Sequence, residues 1–386
     1  MRRLGIQPLG DDGGYVQKVT IERSELNAPP VLSVGDGRFT HGKGIYVSQL
    51  TAAKVSGPVQ RYKEGTPVTT GAVLLVPGNV SAPVAATSGA VLVITSETEQ
   101  ARTRRTAGTP RPLTLQRIVG TPARASITVD ADTYPAFDKL ADGTVVTLTA
   151  DPQPPQNAHT WNVLGQLPGR SLPDAHDVIL LSAHLDHLGN GRGPAPAGGD
   201  NIFNGADDDA SGSVAVLELA EALARGRRPK RTVMFAWFGS EENGGFGARH
   251  FIDVPPVPLS KIVANLEFEM IGRPDAKVQP HTLWLTGYER SNLGPELAKR
   301  GARIVQDPPP EQSFFTRSDN IQLARRGVIA QTVSSFGLHK EYHTPADEIR
   351  FVDFAHMTDS IRSMLEPIRW LANSSFRPGW MPGKKP

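Results

Sequence analysis

The chain predicts an α/β fold: a mostly parallel mixed sheet sandwiched by helices, with a small β-rich domain inserted into it. From Trp161 onward, short and nearly continuous apolar runs alternate with segments of helical periodicity, the pattern of a parallel sheet covered on both faces. Residues 66–150 read differently, as short β-forming runs cut by Gly, Pro and Thr. Finally, His, Asp and Glu fall just after several of the apolar runs, at the edge where open α/β sheets bind their ligands.

In the insert, the runs 73–76, 91–94, 127–129 and 145–148 predict short strands, and residues 15–21 alternate like another. Gly57-Pro58 and residues 151–155 punctuate the two ends. In the main domain, strands are expected at 178–181, 232–238, 262–271, 282–285 and 328–333, and helices at 210–226, 290–301 and 352–372. The last helix shows its core face in Phe354, Met357, Ile361, Met364, Leu365, Ile368 and Leu371. The expected division is therefore 1–50, an N-terminal part of the main domain that starts without its first helix; 51–154, the insert; 155–375, the main domain; and 376–386, a tail that should fray.

The 386 residues suit two domains, and 39% hydrophobic content is ordinary for a folded protein. The net charge of +2 argues neither for nor against nucleic acid. The basic clusters Arg102, Arg104, Arg105 and Arg227, Arg228, Lys230, Arg231 have few interleaved aromatics, so they read as solvated turns and no nucleic-acid partner is expected. No segment approaches the ~18 apolar residues of a membrane span. Met1-Arg2-Arg3 leads into no apolar signal core, so this chain shows no signal peptide. The absence of cysteine fits any compartment, and it leaves imidazole and carboxylate as the candidate ligands for a zinc ion.

Those ligands concentrate in the stretch AHLDHLGNGRGPAPAGGDNIFNGADDDASG, residues 183–212. His184 leaves the end of a buried strand, and Asp186 can accept its second ring N–H and orient it. Asp207, Asp208 and Asp209 open the 210–226 helix; one of them can cap it, and three are more than a cap requires. Glu241-Glu242 follow the 232–238 strand. Glu267 and Glu269 lie inside the apolar 262–271 run, a costly place for uncompensated charge. His343 ends a loop before the last helix. His187, His250 and His339 read as surface or hydrogen-bonded residues, with His187 and His339 as possible lining of the site.

The segments HLDHLG, NGADDDASG, SEENGGFGAR, NLEFEMIGR and EYHTPADE resemble, in this order, the signature segments of the co-catalytic di-zinc aminopeptidase family, metallopeptidase family twenty-eight. Its broader relatives include glutamate carboxypeptidases and glutaminyl cyclases. The resemblance covers about residues 160–372; the insert is similar, more loosely, to a protease-associated domain. It implies a zinc exopeptidase-like fold and two Zn²⁺ per chain. His184 would bind one ion, Asp208 would bridge both, Glu242 would ligate the ion opposite His343, and Glu269 would complete the first site with His184. Glu241 would be the general base of an aminopeptidase acting on peptides with a free N-terminus, with Asp186 supporting the site. Two ions held roughly 3.5–4 Å apart would acidify a bridging water and polarise the scissile carbonyl. The resemblance also implies export, with no membrane span; it is silent on oligomeric state and side-chain specificity.

Two departures stand out. Many relatives have Asp where this chain has Glu269. Some place a tyrosine shortly before Ser-Asp-His as the oxyanion donor, whereas the run here is FFTRSDN (314–320), leaving Arg317 or Tyr342 as substitutes. The alternatives are a glutaminyl-cyclase-like acyltransferase or a carboxypeptidase on the same scaffold, and a catalytically inactive receptor-like binding protein.

Overall fold

Seven-residue runs buried at every position, or at all but the first, are strands covered on both sides, and three such runs build the centre of the first of two compact units, Met1–Val19 with Thr160–Pro386. The computed structural model describes residues 1–78, 89–107, 113–170, 177–190, 199–308 and 310–386. In this unit, Val178–His184 pairs in parallel with Thr232–Phe238 on one side and Ile262–Phe268 on the other. Ile262–Phe268 pairs in parallel with Ala330–Ser334, and Leu283–Leu285 then adds antiparallel to that strand and parallel to Ile304–Gln306. On the opposite side, Gln156–Leu167 pairs antiparallel with Thr232–Phe238 through Val163–Leu167. The sheet is thus parallel in its middle and mixed at its flanks, as expected.

Helices cover both faces. Gly212–Ala224 and Phe354–Asn373 pack on a core that includes Leu181, Phe235, Leu266, Met364 and Leu371. Phe246–Asp253 and Asn320–Arg325 lie over a second cluster around Leu180, Met234, Phe238 and Phe251. These two short helices give little periodic signal because each offers only about two turns. Expected strand 262–271 ends earlier, at Phe268. Glu267 therefore sits within the strand, and Glu269 just beyond its carboxyl end.

The second unit spans Thr20–His159. Its sheet runs in the order Gly37–Thr40, Leu26–Val34, Val145–Pro152, Lys54–Arg61, Val73–Leu75, Leu92–Ser96, Ala125–Val129 and Ile45–Leu50. Residues 20–50, assigned from sequence to the catalytic part, therefore belong to this unit. The misleading signal was Gly57-Pro58, which lies inside the Lys54–Arg61 strand rather than at a boundary. Gly57 is there because a Cβ would sit 2.1 Å from the carbonyl oxygen of Gly71, so the glycine marks close backbone approach and not a turn.

Three further expectations give way. Arg102 and Arg105 stand on the helix Glu99–Ala107 rather than on a turn, with Arg105 over the Tyr46 ring and paired to Glu97. Arg231 is buried, donating to the carbonyls of Leu371 and Phe376 and pairing with Asp177. The tail beyond Asn373 is pinned, not frayed: Trp380 bridges Ser291, and Met381 and Gly379 donate to Arg290 and Asn292. Residues 191–198 of the Gly/Pro-rich loop lie outside the described residues.

Gly212 opens the first helix directly against the end of a central strand. A Cβ there would lie 2.1 Å from the Phe268 carbonyl oxygen and 2.4 Å from Asp209 Oδ1. Gly212→Ala should push the helix off the strand and cost about 1–3 kcal/mol, the usual range for overpacking. Urea unfolding followed by circular dichroism checks this, and an unchanged midpoint would contradict it.

Candidate metal centre

Parallel strands end on one side of a sheet, so the segments following Val178–His184, Thr232–Phe238 and Ile262–Phe268 are brought together without any special sequence. His184 is the last residue of the first strand, Glu241 and Glu242 follow the second, and Glu269 follows the third. The remaining contributors come from the turn Ala206–Ser211 and from the loop ahead of the last helix. Three of the seven non-glycine residues at positive φ among those described are Ser240, Met270 and His343. Each lies within or beside this cluster, where backbone strain is tolerated because surrounding structure enforces it.

Two groups of ligating atoms form there, and Asp208 belongs to both. His184, Asp208 and Glu269 make one; His187, Asp208 and Glu242 make the other. His184 Nε2 is 3.1 Å from Asp208 Oδ1 and 4.0 Å from Glu269 Oε1. His343 Nε2 lies 3.2 Å from Asp208 Oδ2 and 3.2 Å from Glu242 Oε2. Donors around one tetrahedral zinc, each ~2.0–2.1 Å from it, stand about 3.3 Å apart, so these spacings suit a shared cation. His184 Nε2 is buried and, although near Asp208, has no hydrogen-bond partner among the described residues. An unsatisfied imidazole nitrogen aimed at carboxylate oxygens is what a cation site requires, and the residues fit one. All five expected ligands (His184, Asp208, Glu242, Glu269 and His343) therefore converge.

The aspartate triplet divides its labour. Asp209 accepts the amides of Gly212, Met270 and His184. Asp207 accepts the amide of Gly272 and the Ser211 hydroxyl, and lies 3.1 Å from His339 Nε2. Asp208 alone presents its carboxylate to the cluster, while Asp347 accepts the amides of Asp207 and Asp208. Asp347 was visible within EYHTPADE but carried no separate signal, because its partners are backbone amides. His187 was visible too, three residues after His184, and the structure moves it from possible lining into the centre.

Asp186 differs in detail from its expected role. His184 Nδ1 meets the main-chain carbonyl of Asp186 at 2.9 Å, while the Asp186 carboxylate stands 4.0 Å away. That carboxylate instead accepts the Glu241 amide at 2.9 Å. The reason is local: the chain turns immediately after His184, which brings the nearer carbonyl under the ring.

The electrostatics are those of anions crowded together. Burial, with Asp319, Glu269 and Glu242 nearby, pushes the Glu241 carboxyl up to about 10, and burial pushes Glu269 up to about 7. Burial acts to raise Asp208 as well, but contacts with His184 and His343 hold it below the usual carboxylate range. For His343, burial acts downward and is outweighed by Asp208 and Glu242, which lift it to about 9.

Residues 162–367, more than half of the chain, match the family model described as peptidase family M28. The chain belongs to peptidase family M28. Within this M28 chain, 117 residues are 33% identical to leupeptin-inactivating enzyme 1 of Streptomyces exfoliatus, covering 30% of this chain and 23% of that protein. Another 36% identity extends over 121 residues of an aminopeptidase of Pseudomonas aeruginosa strain UCBPP-PA14, covering 31% of this chain and 20% of that one. The matched part thus spans about a fifth of these relatives. Among solved structures, an aminopeptidase from Aneurinibacillus sp. strain AM-1 is similar with 19% identity and a TM-score of 0.47, over 100% of this chain and 87% of that one.

A cation held by His343 and Glu269 would have to displace their protons. Protonated ligands compete below their raised values, about 9 and about 7, so affinity should rise with pH from 6 and level off above about 9. Competition with a chromophoric chelator across that range measures it; a flat profile would contradict the assignment.

Proposed function

We propose that this chain is a zinc-dependent aminopeptidase, holding two zinc ions and hydrolysing peptides from a free N-terminus. The observation that carries this is the pair of ligand groups sharing Asp208, with Glu241 beside them but outside both. His184, Asp208 and Glu269 would hold one ion; Asp208, Glu242 and His343 would hold the other. When bound, the ions supply Lewis acidity toward a peptide carbonyl and acidify water.

The protein's own groups do the rest. Glu241 stands outside the shared groups, which leaves its carboxylate able to take the proton of the attacking water and pass it to the leaving amine nitrogen. The carboxyl pushed up to about 10 by burial and neighbouring anions returns toward neutrality beside cations, the range a general base needs. Asp186 fixes this residue by accepting its backbone amide.

Tyr342 is our assignment for the oxyanion donor. Phe315, the aromatic residue three positions before Ser318, is buried in the core against Trp380 and lies under Arg290. Tyr342 instead lines a cavity of about 30 Å³ together with Glu269, Trp284, Phe314 and Arg317. Its ring stacks on His343 with centroids 3.8 Å apart. Burial, together with the nearby Asp208, raises its phenol, so it is a protonated donor at neutral pH.

The test is hydrolysis of apolar aminoacyl p-nitroanilides, lost to a chelator and restored by zinc. A zinc-loaded protein that cleaves no aminoacyl, dipeptidyl or acyl-glutamate substrate would overturn the reading. Glu241→Gln should abolish turnover while zinc content, measured by atomic absorption, stays near wild type; lost zinc would make Glu241 a ligand instead. Tyr342→Phe should lower kcat by ~10²–10³-fold with KM nearly unchanged, the typical loss of one oxyanion donor, and an unaltered kcat would exclude it.

A further inference from the structure

The cavity of about 30 Å³ beside Glu269 has mostly aromatic walls. Trp284 stacks on Phe314 with centroids 5.1 Å apart at 16°, and Phe336 packs 5.8 Å from Phe314 and 4.8 Å from Tyr342. Among the described lining residues, the hydroxyls of Thr286, Thr332 and Ser334 are engaged by the Thr332 amide, Glu267 and the Met270 carbonyl. Two sets of donors are not engaged in this way. Trp284 is 2% exposed, yet its Nε1 has no hydrogen-bond partner among the described residues, and an indole nitrogen can only donate. Arg317 is the one cation among those lining the cavity. Its guanidinium lies 4.9 Å over the Phe314 ring, donates to Gln312 Oε1 at 3.4 Å, and makes no ion pair among the described residues. The one anion among them, Glu269, is committed to a metal ion in the reading above. The cavity therefore offers donors and positive charge that the fold itself does not consume.

We propose that this cavity selects substrates by a side-chain carboxylate, that of an N-terminal glutamate or aspartate, received by Arg317 and the Trp284 indole. The inference rests on the aminopeptidase reading above and names its substrate class. A guanidinium presents its N–H groups as a planar fork that matches a carboxylate, and each carboxylate oxygen can accept more than one such bond. The size agrees: one water needs roughly 10–15 Å³, so about 30 Å³ suits a terminal group with two oxygens, and the apolar stem of glutamate suits aromatic walls. A glutamine amide has the same shape without the charge. A lysine would bring like charge toward Arg317. A branched aliphatic chain suits the walls but leaves the indole N–H and the guanidinium without an acceptor, which lowers affinity.

Free L-glutamate and L-glutamine carry the same α-groups, so calorimetric titration of each into the zinc-loaded protein reads the side chain alone. Glutamate should bind ~10–100-fold tighter, the range of a charge-assisted hydrogen-bonded pair. The gap should narrow as salt rises, because Arg317 is exposed. Glutamyl p-nitroanilide should exceed glutaminyl p-nitroanilide in kcat/KM by a similar factor. Arg317→Gln should bring both ratios close to one, Arg317→Glu should place the lysyl substrate above the glutamyl one, and Trp284→Phe, which keeps the ring stack, should lower both ratios in part. Equal binding and turnover of the two in the wild-type protein, or ratios that survive Arg317→Gln, would overturn the proposal, while cleavage of alanyl or leucyl p-nitroanilide would still uphold the aminopeptidase reading. A carboxylate preference confined to dipeptides with a free C-terminus, measured against their amides, would overturn it too by assigning the group to the other end of the substrate. Zinc-loaded protein that cleaves none of these substrates would instead overturn the aminopeptidase reading beneath it.

Discussion

Asp208, Glu242, Glu269 and Glu241 are brought close together at one rim of a sheet, and that crowding is the constraint around which the first unit is arranged. Anions at such spacing repel and lose their hydration, so they persist only when positive charge or protons intervene. Three imidazoles supply part of the compensation: His184 and His343 meet Asp208, while His187 and His343 meet Glu242. The upward pressure on Glu241 and Glu269 shows that imidazoles alone do not balance the site. Divalent cations do, and the unmatched Nε2 of His184 is aimed where one would sit.

Beneath that rim lies a scaffold whose polar groups are spent on backbone. Asp209 gathers three amides, Asp207 takes the amide of Gly272, and Asp347 takes those of Asp207 and Asp208. Together these bonds tie the turn Ala206–Ser211 to the end of the Val178–His184 strand, to the segment after Ile262–Phe268 and to the loop bearing His343, which is how side chains far apart in the sequence reach a common centre. Glu267 belongs to this layer and not to the site. It is buried, accepts the Asn320 amide at 2.5 Å, and ties the strand to the Asn320–Arg325 helix.

The central strands were legible because burial on both faces removes alternation, leaving unbroken apolar runs at 178–181 and 232–238. The five residues expected as ligands were legible because His, Asp and Glu at the ends of such buried runs are costly to desolvate and serve few purely structural ends. What stayed hidden was anything decided by backbone hydrogen bonding or by close approach. Residue type alone could not say which member of Asp207–Asp209 faces the centre, since all three are chemically equal until their amide partners are known; only the family resemblance singled out Asp208. Sequence placed the Asp186 carboxylate on His184, whereas a main-chain carbonyl, invisible in any sequence, occupies that position. Gly57 looked like a boundary because a glycine demanded by a neighbouring carbonyl is indistinguishable from one demanded by a turn. His187 was set aside because a lone histidine has many uses, and only its distance to Glu242 selects among them.

The bonds from Asp347 to the amides of Asp207 and Asp208 span about 140 positions of chain, and the main-chain carbonyl of Asp347 takes the Ala206 amide as well. These contacts clasp the loop bearing His343 onto the turn bearing Asp208. The two segments hold one another in place across that separation, a non-local contact of the kind whose closure carries the largest loop entropy. A cation held between His343 and Asp208 would spend part of its binding energy on keeping these two distant stretches of polypeptide closed.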